Sequence, residues 1–262
     1  MDLGYPGKRC LVTASTGGLG FAIAQAMAAE GATVVVNGRS ARNVREAAAR
    51  IAAAVPGARL EEAVGNSGTA EGCAELISAC PEVDVLVVNL GIYEAMDVYT
   101  AGDDRWYELI EVNVMSGVRL ARHYLPGMLK RNAGRVIFMA SESGINPAPE
   151  MPAYSATKTM QLGLARNLAE TTKGTNVTVN AVLPGPCATE GVATLIAGLY
   201  PGVPTAEAQR RFVAENRPTS LIQRLSRPEE VADFVTFLGS ARTGIVNGAA
   251  LRIDGGLIRT VC

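Results

Sequence analysis

Short β-branched runs alternate along the chain with longer Ala-rich stretches of helical periodicity, and Gly or Pro marks many of the junctions. Residues 9–13 read as a strand, 19–30 as a helix and 33–36 as the next strand, with Gly31 ending the helix between them. The pattern then predicts a helix over 41–55, stopped by Pro56 and Gly57, and strands over 60–64 and 83–88 with a short helix between them. Further on, 135–139, 177–182 and 249–253 are strand-like, while 153–172 and 228–238 are helix-like. Strands joined by helical crossovers pack as a parallel sheet with helices on both faces, so the expected fold is α/β, a doubly wound parallel sheet of about seven strands.

No repeat, low-complexity tract or Pro/Ser-rich linker divides the chain, which predicts a single domain over 1–262. The stretch 185–220 is the least regular. Pro184, Pro186, Pro201, Pro204 and Pro218 lie in or beside it, and it is expected to be a mobile segment that covers substrate.

At 48% hydrophobic and 19% charged residues, the composition suits a globular protein that needs no staple or metal for stability. Lys and Arg number 24 against 25 Asp and Glu, a net charge of -1, which gives no pull toward nucleic acid or an anionic membrane. Cys10, Cys73, Cys80, Cys187 and Cys262 show neither a disulfide framework nor zinc spacing. There is no signal-like apolar stretch at the N-terminus and no run approaching the ~20 residues of a membrane span, so a cytoplasmic location is expected. His123 is the single histidine, which leaves little material for a metal cluster or Ser-His-Asp chemistry.

Directly after the first strand comes Thr13-Ala14-Ser15-Thr16-Gly17-Gly18-Leu19-Gly20, followed by the first helix. Gly18 would let the backbone approach a pyrophosphate, Gly20 would permit close helix–strand packing, and the helix N-terminus would offer free N–H groups to phosphate. A plain strand-to-helix turn is the alternative. Ala14 is expected to keep a negative φ. The second strand leads into Asn37-Gly38-Arg39-Ser40, where no acid stands to accept from a ribose 2′-OH. Arg39 can pair with a 2′-phosphate or remain a solvated loop charge.

Tyr154 and Lys158 lie at i and i+4 on one face of a helix opened by Pro152. A neighbouring ammonium lowers a phenol's pKa, so this pair suits general acid–base work. Ser141 follows the strand 135–139 at the edge where open α/β sheets bind ligands, and its hydroxyl is placed to polarise a carbonyl.

The loop resembles the T-G-x-x-x-G-x-G motif of the short-chain dehydrogenase/reductase family, with Ala14 at its first glycine. Ser141, Tyr154 and Lys158 match that family's active site, and Asn113 matches its asparagine. Asn180-Ala181-Val182-Leu183-Pro184-Gly185, Thr189 and Asp254-Gly255-Gly256 extend the likeness almost to the C-terminus. Two departures are Val88-Asn89-Leu90-Gly91, where Asn-Asn-Ala-Gly is usual, and Asn66, where an aspartate commonly contacts adenine. Leu90 is expected to crowd the adenosine ribose, and Val88 to lose an amide tie between strands.

The resemblance implies a Rossmann fold and hydride transfer between NADP(H), rather than NAD(H), and a carbonyl or secondary alcohol. Members that reduce 3-oxoacyl groups on acyl carrier protein are similar, and a catalytically silent NADP(H)-binding regulator is a reading of another class. By the same resemblance, the cofactor would meet Thr13, Ser15, Thr16, Gly18, Leu19, Gly20, Arg39, Asn66, Asn89, Gly91, Tyr154, Lys158, Pro184, Gly185 and Thr189. Tyr154 would be the proton donor or acceptor and Ser141 would hold the oxygen. Lys158 would bind the nicotinamide ribose and lower the Tyr154 pKa, while Asn113 anchors a water leading to Lys158. No metal is implied.

The expected substrate walls are Ile145, Pro147 and Met151, with Leu195, Ile196, Leu199 and Tyr200. Glu142 and Glu150 either add negative charge at the entrance or face solvent. A small-molecule substrate is expected, in a homotetramer packed through helices around 104–129 and 153–172.

Overall fold

Seven strands form in the computed structural model, which describes residues 1–261: β1 Arg9–Val12, β2 Thr33–Gly38, β3 Arg59–Val64, β4 Val85–Val88, β5 Gly134–Met139, β6 Val177–Pro184 and β7 Ala250–Ile253. They make one parallel sheet in the order β3-β2-β1-β4-β5-β6-β7. The order reverses between β1 and β4, and a crevice at the carboxyl ends of strands follows from such a reversal. The anticipated doubly wound sheet is therefore present. β4 begins two residues later than its apolar run, at Val85.

Because side chains alternate along a strand, each strand feeds two separate cores. Val12, Val34, Val36, Val85, Val87, Ile137 and Met139 point to one face. That face is covered by α1 (Gly18–Ala29), α2 (Ala41–Ala54) and α9 (Pro228–Leu238), through Ile23, Met27, Val44, Ile51, Val231 and Val235. Leu11, Val35, Leu86, Val88, Val136 and Phe138 point to the other face. There they meet α3 (Ala70–Ala79), α5 (Ser116–Arg131) and α6 (Pro152–Glu170) through Leu76, Leu120, Met128 and Ala165. Each fully buried Val, Leu, Ile or Phe contributes about 1.5–3 kcal/mol against chain entropy.

Three features depart from the sequence pattern. A short helix α4 (Asp103–Ile110) runs through a π-helical turn, Glu111–Met115, into α5. The stretch 185–220, expected to be irregular, holds two helices, α7 (Glu190–Leu199) and α8 (Thr205–Asn216), with a small core of their own around Ile196, Tyr200 and Phe212. Its prolines are punctuation: Pro201 and Pro204 lie between the helices and Pro218 follows the second, where a missing N–H costs nothing. The segment before β1 also docks on distant structure, with the buried Tyr5 hydroxyl donating to the Thr236 carbonyl at 2.7 Å and Ala241 N donating to Leu3 O at 3.2 Å.

Cys10, Cys73, Cys80 and Cys187 are buried free thiols, and Cys262 lies outside the described residues. No helix among the described residues is long and apolar enough to cross a membrane.

Candidate active site

A cleft of about 580 Å³ opens where the carboxyl ends of β1, β4, β5 and β6 converge. Its wall carries Gly18, Leu19, Gly20, Arg39, Asn89 and Gly91, then Ser141, Tyr154 and Lys158, then Pro184, Gly185 and Thr189. Residues from more than 170 positions of sequence thus share one surface, because parallel strands deliver all their outgoing loops to one edge.

The start of α1 is unusually open. Its N-cap Gly17 supplies no side-chain cap, the first turn holds no acid, and Phe21 N bonds back to Gly17 O at 3.1 Å. The amides ahead of Phe21 are orphan donors at the positive end of a helix, a fit for phosphate oxygens. Gly20 is required by contact, since a Cβ there would collide with the Ala14 carbonyl and the Asn89 amide.

Ala14 adopts φ 51, contrary to the negative φ expected of it. The left-handed conformation costs an alanine about 1–2 kcal/mol. Two side-chain amides hold its backbone there: Ala14 N donates to Asn37 Oδ1 at 3.1 Å, and Asn89 Nδ2 donates to Ala14 O at 3.4 Å.

Thr13 and Ser15 are buried and turned into the fold rather than onto the cleft wall. The Thr13 hydroxyl accepts from Asn89 N at 2.9 Å and Leu90 N at 3.0 Å, and Ser15 Oγ donates to Val12 O at 2.8 Å. Thr16 and Asn66 are likewise absent from the wall, and Asn66 Oδ1 accepts from Gly68 N at 3.2 Å.

Leu90, expected to crowd the adenosine ribose, packs toward Gly68, 3.4 Å from where a Cβ would stand. Val88 exchanges an amide tie for full burial in the core. Arg39 is exposed and makes no ion pair or hydrogen bond among the described residues. The adjoining Gly38 leaves little room for an acid, because a Cβ would meet the Thr16 side chain at 2.5 Å and Val44 at 3.2 Å and make Thr16 shift. A free guanidinium beside a position that holds no carboxylate suits a phosphate better than a bare ribose.

The chemistry-bearing residues lie on β5, α6 and the π-turn. Ser141 is N-cap of the turn 142–144, and its Oγ accepts from Ser143 N at 3.2 Å. Tyr154, in the first turn of α6, meets Tyr93 edge-on at 5.8 Å between ring centroids. Burial pushes the Tyr154 phenol up from its ordinary value, while the Ser141 side chain opposes that shift. The expected lowering by Lys158 is not what this arrangement produces, because Lys158 is itself desolvated and pushed down to about 7. Lys158 Nζ stands 5.4 Å from the Tyr154 ring centroid and donates to Met139 O at 2.7 Å.

Asn113 sits in the π-turn, fully buried. Its side chain clamps Ile92, accepting from Ile92 N at 2.8 Å and donating to Ile92 O at 2.9 Å, and also donates to Thr157 Oγ1 at 3.0 Å. A protein side chain also joins Asn113 to Lys158. Gln161 Nε2 donates to the Asn113 carbonyl at 2.5 Å, while Gln161 Oε1 accepts from Lys158 Nζ at 3.1 Å. Gln161 was not singled out from sequence. Its one signal is its place one turn beyond Lys158 on the same helix face.

A family model described as short chain dehydrogenase matches residues 8–198, nearly three quarters of the chain. The chain belongs to the short-chain dehydrogenase family. This oxidoreductase is 54% identical to "Uncharacterized oxidoreductase YvaG" of Bacillus subtilis, with both chains covered in full. Identity to D-beta-hydroxybutyrate dehydrogenase of Cupriavidus necator is 32%, over 96% of this chain and 98% of the other. Among solved structures, L-sorbose reductase from Gluconobacter frateurii, complexed with NADPH and L-sorbose, superposes with a TM-score of 0.92 at 32% identity, each chain covered in full.

The substrate end of this dehydrogenase differs from its sequence-based outline. Met151 and Leu195 line the cleft, joined by Tyr93, Val192 and Phe212. Ile145 and Pro147 are exposed and off the wall, while Ile196, Leu199 and Tyr200 pack into the α7–α8 core. Glu142 does not face solvent. It is buried against Arg217, which also reaches Glu150. Arg217 lies 75 residues from Glu142, so no local spacing announces this pair.

Proposed function

We propose that the chain transfers hydride between NADP(H) and the carbonyl or secondary alcohol of a small molecule, with Tyr154 as general acid or base. The observation that carries this reading is the placement of Ser141, Tyr154 and Lys158 on one wall of a cleft that also holds the open N-terminus of α1. The nicotinamide, when bound, gives or takes the hydride. Ser141 holds the reacting oxygen by its hydroxyl. Tyr154, kept as a phenol by burial, donates its proton as a carbonyl becomes an alcohol. Oxidation needs the phenolate, so it is favoured at higher pH than reduction. Lys158 holds ribose hydroxyls from a position fixed by Met139 and Gln161.

The free Arg39 beside Gly38, where no acid stands, supports NADP(H) over NAD(H), and the NADPH held by L-sorbose reductase agrees with it. The segment 185–220 is read as a cover for substrate, in a cytoplasmic homotetramer whose size sedimentation will test.

The deciding experiment is Tyr154→Phe. Ketone reduction should fall by about 10²–10⁴-fold while NADPH titrates as before. Unchanged turnover removes Tyr154 from the chemistry. Arg39→Ala should erode the preference for NADPH over NADH, and an unaltered preference assigns the 2′-phosphate to other residues.

A further inference from the structure

We propose that Glu142 and Arg217, the latter held by Glu150, are the substrate-selecting wall of this cleft, and that this cluster selects a neutral polyhydroxy ketone over alkanones and keto acids. The assignment rests on the oxidoreductase reading above.

Glu142 directly follows Ser141, so its carboxylate is one residue from the hydroxyl assigned to the reacting oxygen. Glu142 and Arg217 both line the cleft, with side chains 3% and 4% exposed. Arg217 Nε donates to Glu142 Oε1 at 2.8 Å, and Arg217 Nη1 donates to Glu150 Oε1 at 2.9 Å and to Asn216 O at 2.8 Å. These bonds leave two atoms over. Glu142 Oε2 is buried with no hydrogen-bond partner, and Arg217 Nη2 has none among the described residues.

A buried acceptor without a partner is costly unless a ligand completes it, and Arg217 Nη2 is a donor still open beside Glu142. A hydroxyl completes both, since it donates to a carboxylate oxygen and accepts from a guanidinium. An alkanone completes neither. A keto acid is disfavoured by charge and by geometry: two carboxylates against one guanidinium leave the cluster negative, and each fork that could clasp a further carboxylate, Nε with Nη2 or Nη1 with Nη2, already has one donor taken by Glu142 or Glu150. The remaining lining, Met151, Leu195 and Phe212, suits the carbon skeleton of a small ligand.

The test uses three five-carbon ketones with NADPH: xylulose, 2-pentanone and 4-oxopentanoate. The wild type should show kcat/KM at least tenfold higher for xylulose than for either of the others. Glu142→Gln should lower the xylulose-to-2-pentanone ratio at least tenfold, because it replaces the unpaired anionic acceptor. Glu150→Gln should raise the ratio of 4-oxopentanoate to xylulose, because it brings the cluster to neutrality. NADPH titration shows whether each variant is folded.

A wild-type preference for 2-pentanone or 4-oxopentanoate, or a Glu142→Gln loss that scales all three ketones alike, overturns the proposal. If Glu142→Gln does not fold, Glu150→Gln decides, and unchanged discrimination against the keto acid overturns it. Turnover of 2-pentanone with xylulose inert removes the substrate assignment and leaves the oxidoreductase reading intact. Failure to reduce any ketone on a broad panel while binding NADPH removes both.

Discussion

Lys158 carries a pH signature of its own. Its ammonium is desolvated, so the folded chain releases that proton near pH 7 while the unfolded chain keeps it until an ordinary lysine pKa. Between those limits the unfolded state binds more protons, and stability therefore rises with pH. Below about pH 7 both states hold the proton and the penalty is present in full. Urea denaturation of the ligand-free protein should show wild type gaining on Lys158→Met between pH 6 and pH 9, with a difference that plateaus below pH 6. Parallel curves would mean that Lys158 keeps its charge through contacts with Met139 and Gln161. The comparison with Lys158→Met is needed because buried tyrosines and cysteines, shifted upward by desolvation, pull stability the other way at higher pH.

Among elements, the ends of β1, β2 and β3 depend on one amide. Asn37 Oδ1 accepts from Ala14 N at 3.1 Å and Ser67 Oγ at 3.3 Å, and Asn37 Nδ2 donates to Ala63 O at 3.0 Å and Gly65 O at 3.1 Å. Asn37→Leu should destabilise the protein by about 3 kcal/mol or more, since it strands several buried polar groups at once. It should also weaken NADPH binding, because Ala14 loses the contact that holds its positive φ; a calorimetric scan and a titration check the two effects. A stability loss under 1 kcal/mol would move the burden to Asn89.

Sequence periodicity made the strands and most helices legible because each strand sorts its side chains between two cores. Ser141, Tyr154 and Lys158 were legible because their spacing is local to a strand end and one helix. The π-turn that places Asn113, and the contacts joining Gln161 to Asn113 and Arg217 to Glu142, were not. They depend on tertiary neighbours that no periodicity encodes. The helices α7 and α8 were hidden by prolines that stand at helix ends and that mark the stretch, in sequence, as irregular and mobile.

At the scale of the molecule, stability is divided between a large sheet with two cores and a small core beneath α7 and α8. Regions with few buried apolar contacts open locally at low free energy. Hydrogen exchange should be faster in α7 and α8 than in β1, β4 and β5, and it should slow in α7 and α8 when NADPH and substrate are present. Uniform exchange across the chain would contradict a cover built from this segment.

The bond from Tyr5 to Thr236 joins residues 231 positions apart and bears on birth rather than on catalysis. At roughly 5–20 residues per second, a ribosome makes the acceptor some 10–50 s after the donor. Through that interval β1 and α1 exist without α9, which later covers their outer apolar face. β1 and α1 are therefore a portion a nascent-chain chaperone can meet bare, and closure of that face waits until α9 is made.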